Sequence, residues 1–159
     1  MGASGVFINQ LTLVIAAKSA RGLAAIHAED IAIPLLGGFN VRWYHLFLTA
    51  AFLVANIWNF QLNRAWTFRR AHQRGWLREY SLFLATGLAS LAVGLAISTA
   101  LLHPNSPLRL SPGIFDKSSG LRNPLYWANL IQIALTMPIN FVVNKLWTFK
   151  STLASAEES

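Results

Sequence analysis

The residues of this chain best placed to do chemistry are side-chain amides. Asn56, Asn59 and Asn63 recur at intervals of three and four, and Asn129, Gln132, Thr136, Asn140 and Asn144 repeat that spacing near the C-terminal end. On a helix such intervals put the groups on one face. Carboxamides donate and accept hydrogen bonds but move no protons at neutral pH, so the stripes point to binding or to interhelical bonding and not to acid–base catalysis. Groups that would support catalysis are poorly arranged. Glu29 and Asp30 are adjacent, and on a helix adjacent side chains diverge by about 100°. His27, His45, His72 and His103 have no metal-ligand spacing, the chain has no cysteine, and no glycine-rich phosphate loop is present. The expectation is a protein that is not an enzyme and carries no metal or other cofactor.

Each amide stripe runs into a basic and aromatic boundary, and the two boundaries are copies. The stretch from Asn59 to Arg69 aligns without gaps on that from Asn140 to Lys150, with six of eleven positions identical and two more exchanging Arg for Lys. Arg64, Trp66, Phe68 and Arg69 thus answer Lys145, Trp147, Phe149 and Lys150. Trp with Arg or Lys is the usual anchor where a helix leaves a membrane. The same cations would also hold a lipid phosphate, Arg64 by forking onto two oxygens and Lys145 as a point charge. A third pattern, Gly87, Ser90, Gly94 and Ser98, is a small-residue stripe that lets another helix approach closely, within a bundle or across a homodimer.

The elements that must position these groups follow from composition. Of 159 residues 54% are hydrophobic and only 12% are charged, about half the charged share of an ordinary soluble domain. The runs 43–63, 80–108 and 123–144 contain no Asp, Glu, Lys or Arg, and residues 1–17 form a shorter uncharged run that includes Asn9 and Gln10. A hydrocarbon core of ~30 Å takes roughly 20 helical residues. The expected fold is an all-α membrane protein, residues 1–150 forming one domain of four transmembrane helices at about 3–18, 43–62, 80–102 and 125–143. Both repeat copies end an even-numbered span, so the helices read as two hairpins in parallel orientation. Residues 31–41, broken by Pro34, Gly37 and Gly38, are too short to cross and are expected to be an interfacial or re-entrant piece. The link 103–124 holds four of the six prolines and reads as an irregular loop. Pro138 should kink the last span near Asn140.

A net charge of +7 would suggest nucleic acid in a soluble protein, but here it reads as topology. Arg64, Arg69, Arg70, Arg74 and Arg78 crowd one short loop, and with Lys145 and Lys150 they favour an N-in, C-in orientation with residues 151–159 as a polar cytoplasmic tail. The opposite side is not clean, because Lys18, Arg21, Arg42, Arg109, Lys117 and Arg122 fall there. Nothing basic precedes the first apolar run, so it does not resemble a cleaved signal.

The paired motifs, Asn59 to Phe68 and Asn140 to Phe149, resemble the helix-ending motifs of the GtrA-like family, small four-helix proteins of bacterial membranes, and residues 2–9 are similar to that family's first-helix stretch. The chain starts closer to its glycine pair than family members usually do, and its segment 22–42 is longer. The resemblance implies a multi-pass protein of the bacterial inner membrane in cell-surface polysaccharide or glycolipid synthesis. It would move a polyprenyl-phosphate-linked sugar between leaflets, and its residues for that lipid would be Asn59, Asn63, Arg64, Trp66, Asn140, Asn144, Lys145 and Trp147. The rival role is that of membrane anchor or accessory subunit for a polyprenyl- or dolichol-phosphate glycosyltransferase, docked through the basic loop 69–78. The expected partners are therefore the lipid-linked sugar, membrane lipids, a glycosyltransferase and a second copy of the chain, with no nucleic acid. A cation-extruding transporter is disfavoured, since no span carries Asp or Glu in its core.

Overall fold

A computed structural model describes residues 2–35, 40–67 and 75–138. Helix α1, Gly2–Ala24, is followed by strands β1, Ile31–Ile33, and β2, Val41–Arg42, then by helices α2, Trp43–Thr67, and α3, Trp76–Leu102. A fourth helix, α4, starts at residue 124 and is described as far as 138.

The ends of these elements follow from local sequence. At the end of α1, Ala25 takes a φ of 53°, and its N–H donates to the Arg21 carbonyl while the N–H of Ile26 donates to that of Ala20, both at 3.2 Å. The terminal carbonyls are thereby satisfied, at the cost of a left-handed alanine. Helix α2 begins directly from β2. Its first N–H groups, on Trp43 and Tyr44, donate to the carbonyls of Asp30 at 3.0 Å and Ala28 at 2.8 Å, so the hairpin caps the helix. At the start of α4 the Asn123 side chain accepts from the Leu125 N–H at 3.0 Å. Pro124 occupies the first helical position, where a missing N–H is harmless. Helix α3 ends at His103, whose N–H donates to the Thr99 carbonyl at 2.8 Å, and Pro104 blocks continuation.

Residues 31–42 correct the all-α expectation. Ile31 pairs with Arg42 and Ile33 with Val41 in an antiparallel ladder, so the segment is a small hairpin. β-Branched residues at 31, 33 and 41 favour extended backbone, and Asn40 accepts from the Leu35 N–H at 3.0 Å to hold the two arms together. Residues 103–123 form the expected irregular loop, closed by a single turn of 3₁₀ helix at Gly120–Arg122.

Helix α1 packs closely on α2, and a hydrophobic cluster of Leu13, Tyr44, Phe47, Leu48, Ala51 and Leu125 joins α1, α2 and the start of α4. Polarity runs opposite to that of a soluble domain. Asn9, Asn56, Ser90, Ser98, Asn129 and Thr136 are buried, while Phe7, Leu11 and Ile15 make an exposed stripe on α1 and Leu53, Val54, Ile57 and Trp58 lie exposed on α2. An exterior of this kind is suited to hydrocarbon. Among the described residues, the stretch Trp43–Ala65 is by itself long and apolar enough to cross a membrane, and α3 qualifies as a second if its parts Trp76–Ala85 and Gly87–Leu102, bent by 40°, count as one span.

Candidate functional site

The buried amides form a seam through the helix packing, and its two halves differ. In the first, Asn129 on α4 donates from Nδ2 to Asn9 Oδ1 and to Gln10 Oε1 of α1, each at 2.8 Å. Gln132 Nε2 in turn donates to Asn129 Oδ1 at 3.0 Å. Thr136 bonds back to the Gln132 carbonyl at 2.8 Å. In the second half, where α2 meets α3 at Asn56 and α1 at Asn59, the buried oxygens Asn56 Oδ1, Asn59 Oδ1 and Ser90 Oγ, like those of Tyr44 and Ser98, have no hydrogen-bond partner among the described residues. A buried polar group without a partner costs roughly 1–3 kcal/mol, so these oxygens are ready to accept a bond from a ligand.

Glycines seat the amides. A Cβ on Gly5 of α1 would lie 2.4 Å from both carboxamide heteroatoms of Asn59, and one on Gly94 of α3 would lie 1.8 Å from Gln132 Oε1. A Cβ on Gly87 would meet the Phe52 ring at 2.9 Å and Asn56 Nδ2 at 3.0 Å. Only glycine lets the helices approach with a carboxamide between them. The small-residue stripe is thus consumed inside one chain: Gly87 and Gly94 are buried, Ser90 is 8% exposed and Ser98 fully covered.

At the end of the seam Asn63 and Arg64 are partly buried. Arg64 has an ionic partner here, because Glu79 at the start of α3 folds back to place Oε2 3.5 Å from Arg64 Nε. Beside this pair the buried Phe60 ring meets Trp76 at 5.5 Å, edge to face, and Tyr80 at 5.4 Å, and Trp76 stacks on Tyr80 at 5.1 Å. The first repeat motif therefore supplies an amide on Gly5, an aromatic clamp onto α3 and a paired guanidinium. Trp66 lies within α2. Asn140, Asn144, Lys145 and Trp147, with the basic positions 69, 70 and 74, lie outside the described residues.

Sequence reasoning did not pair Asn9 and Gln10 with Asn129, although both stood out as amides in an apolar run. Nor did it gather the cations of the other end. Lys18, Arg21, Arg42, Arg109 and Lys117 line a cleft of about 750 Å³ formed by the end of α1, the start of α2, the end of α3 and the loop before α4. Their signal was the six basic residues that the sequence reading assigned to the side expected to hold few. In that loop the hydroxyl and N–H of Ser118 donate to Asp116 at 2.6 and 3.0 Å. With help from the nearby Arg122 guanidinium, they hold the Asp116 carboxyl below its ordinary range. Among the described residues no cluster of acidic or histidine side chains could hold a metal.

A family model described as GtrA/DPMS, transmembrane domain, matches residues 1–149. No curated protein matches the chain, and no solved structure does. The match agrees with the apolar exterior in making this a membrane protein, and it points to glycosyl-lipid metabolism.

Proposed function

The chain belongs to the GtrA/DPMS transmembrane-domain family, and from that membership we propose that it is a non-enzymatic translocase for a polyprenyl-phosphate-linked sugar in the bacterial inner membrane. In this reading four helices span the membrane as two parallel-repeat hairpins, residues 1–150 forming one domain, with both termini and the tail 151–159 cytoplasmic. The headgroup passes along the seam, its hydroxyls donating to the interior oxygens. Asn59, Asn63, Arg64 and Trp66, and the matching Asn140, Asn144, Lys145 and Trp147, serve the lipid near the cytoplasmic leaflet.

The observation that carries this reading is the unpartnered trio of Asn56 Oδ1, Asn59 Oδ1 and Ser90 Oγ, since acceptors kept dry and unbonded lower the barrier for a polyol that can donate to them. The Arg64–Glu79 pair supports it in a second way. A phosphate can displace one carboxylate from Arg64, giving a site that is neutral at rest and exchanges partners on loading.

The test is exchange of a fluorescent polyprenyl-phosphate sugar in liposomes, read as accessibility of inner-leaflet label to an external quencher. Wild-type protein should expose the label quickly, and Asn59→Leu/Asn140→Leu should stop it while remaining folded. Wild-type protein that is folded yet inert would remove the translocase reading. It would favour the anchor role, in which Arg78, exposed at the start of α3, belongs to the surface that docks a glycosyltransferase.

A further inference from the structure

The cleft at the end of the bundle away from Arg64 and Glu79 is distinct from the amide seam in position and in chemistry. Five cations line it against two carboxylates, Glu29 and Asp116. Both carboxylates are already engaged: Glu29 pairs with Lys117, and Asp116 with Arg122 at 2.8 Å. Among the described residues, Lys18, Arg21 and Arg109 consequently have no carboxylate within 4.0 Å. Arg42 spends one nitrogen on the Glu29 carbonyl and keeps its other donors.

These cations come from separate segments, the last turns of α1, strand β2 and the loop after α3, so no local periodicity gathers them. Packing like charges around a concave, partly apolar surface is unfavourable unless an anion answers them. The C-terminal dipole of α1 can offset Lys18 and Arg21, but Arg109 sits in an irregular loop. Asn123 and Pro124, at the positive end of α4, face the same cleft and add to the field. Its floor includes Leu101, Leu102, Tyr44 and Tyr126, which can cover hydrocarbon or a sugar face.

We infer that this cleft is an anion site for a phosphate ester, with Arg21 and Arg109 as its main donors, and that it receives the phosphate end of a lipid at the face opposite the repeat motifs. Only the identity of that lipid rests on the translocase reading; the anion site stands on the cleft itself. It gives the bundle a phosphate station at each end. It also accounts for the basic residues on the side where the positive-inside pattern expects few.

The experiment is calorimetric titration of the protein in phosphatidylcholine nanodiscs with geranyl phosphate, geraniol and inorganic phosphate. Geranyl phosphate should bind saturably. Arg21→Gln/Arg109→Gln should weaken binding about tenfold or more, as expected for two charge-assisted contacts, and Arg21→Lys/Arg109→Lys should retain most of it. Competition by inorganic phosphate would support a site that reads free phosphate; its failure, with geraniol inert, would support one that reads a lipid headgroup. Equal binding by the glutamine variant, or by geraniol, would overturn the inference. A failed cleft would show here as binding that does not depend on Arg21 and Arg109, and a failed translocation pathway as missing exchange in liposomes, so the two give different results.

Discussion

Asn129 and Asn56 carry the same side chain and are both buried, at 0% and 8% exposure, yet their surroundings differ. Asn129 is held from three directions by Asn9, Gln10 and Gln132. Asn56, like Asn59 a turn further on, keeps a buried oxygen that nothing among the described residues bonds. The first arrangement is interhelical glue between α1 and α4. The second, with Asn56 against α3 and Asn59 against α1, spends burial without recovering a bond, which a purely structural interface would avoid by using leucine. Burial alone does not separate scaffold from pathway in such a bundle; the completeness of hydrogen bonding does.

The contrast breaks most sharply at Asn129. Asn129→Leu leaves Asn9 Oδ1, Gln10 Oε1 and Gln132 Nε2 without their bonds. At an average near 0.6 kcal/mol for an interhelical contact in membranes, and more where a group is left stranded, the loss should be about 2 kcal/mol. Unfolding midpoints in mixed micelles would register it. Gly94→Ala should cost about 1 kcal/mol in the same assay, because the new methyl displaces Gln132 and strains its bond to Asn129.

Glu79→Gln sharpens the comparison at the Arg64 end. Stability should fall by less than about 1 kcal/mol, as for other partly exposed ion pairs. If Arg64 serves a lipid phosphate, lipid exchange should be maintained or faster, since the competing carboxylate is gone; slower exchange in a folded variant would make the pair structural. The smallest effect concerns the loop 116–122. The folded-state pKa of Asp116 is lowered, so its contribution is present above the ordinary aspartate range and is lost as pH falls through the lowered value. Cleavage of this loop by an acid-active protease should therefore rise only below that range. Asp116→Asn should already be cleaved at pH 5, which checks the cause.

Much of this organisation was legible. Asn123–Pro124 and the break at His103–Pro104 mark helix ends through caps and missing donors, and the three-four spacing of amides located the seam. The unread parts depend on which helices meet. Glu79 reaches Arg64 only because α3 folds back on α2, and Gly5 matters only because Asn59 lies against it. The hairpin of Ile31–Ile33 with Val41–Arg42 was hidden for another reason. A search for lengths that can span a membrane discards short runs broken by proline and glycine, and those are the runs that form hairpins.

The most direct test measures stability and transport on the same pair of variants. Asn56→Leu/Asn59→Leu should be at least as stable as wild type, since it removes buried acceptors that lack a bond, and should lose exchange of a polyprenyl-phosphate sugar in liposomes. Asn129→Leu should show the reverse balance, with a large loss of stability. Retained exchange in Asn56→Leu/Asn59→Leu, or a loss of stability as large as that of Asn129→Leu, would contradict the assignment of the α2 half of the seam as the pathway.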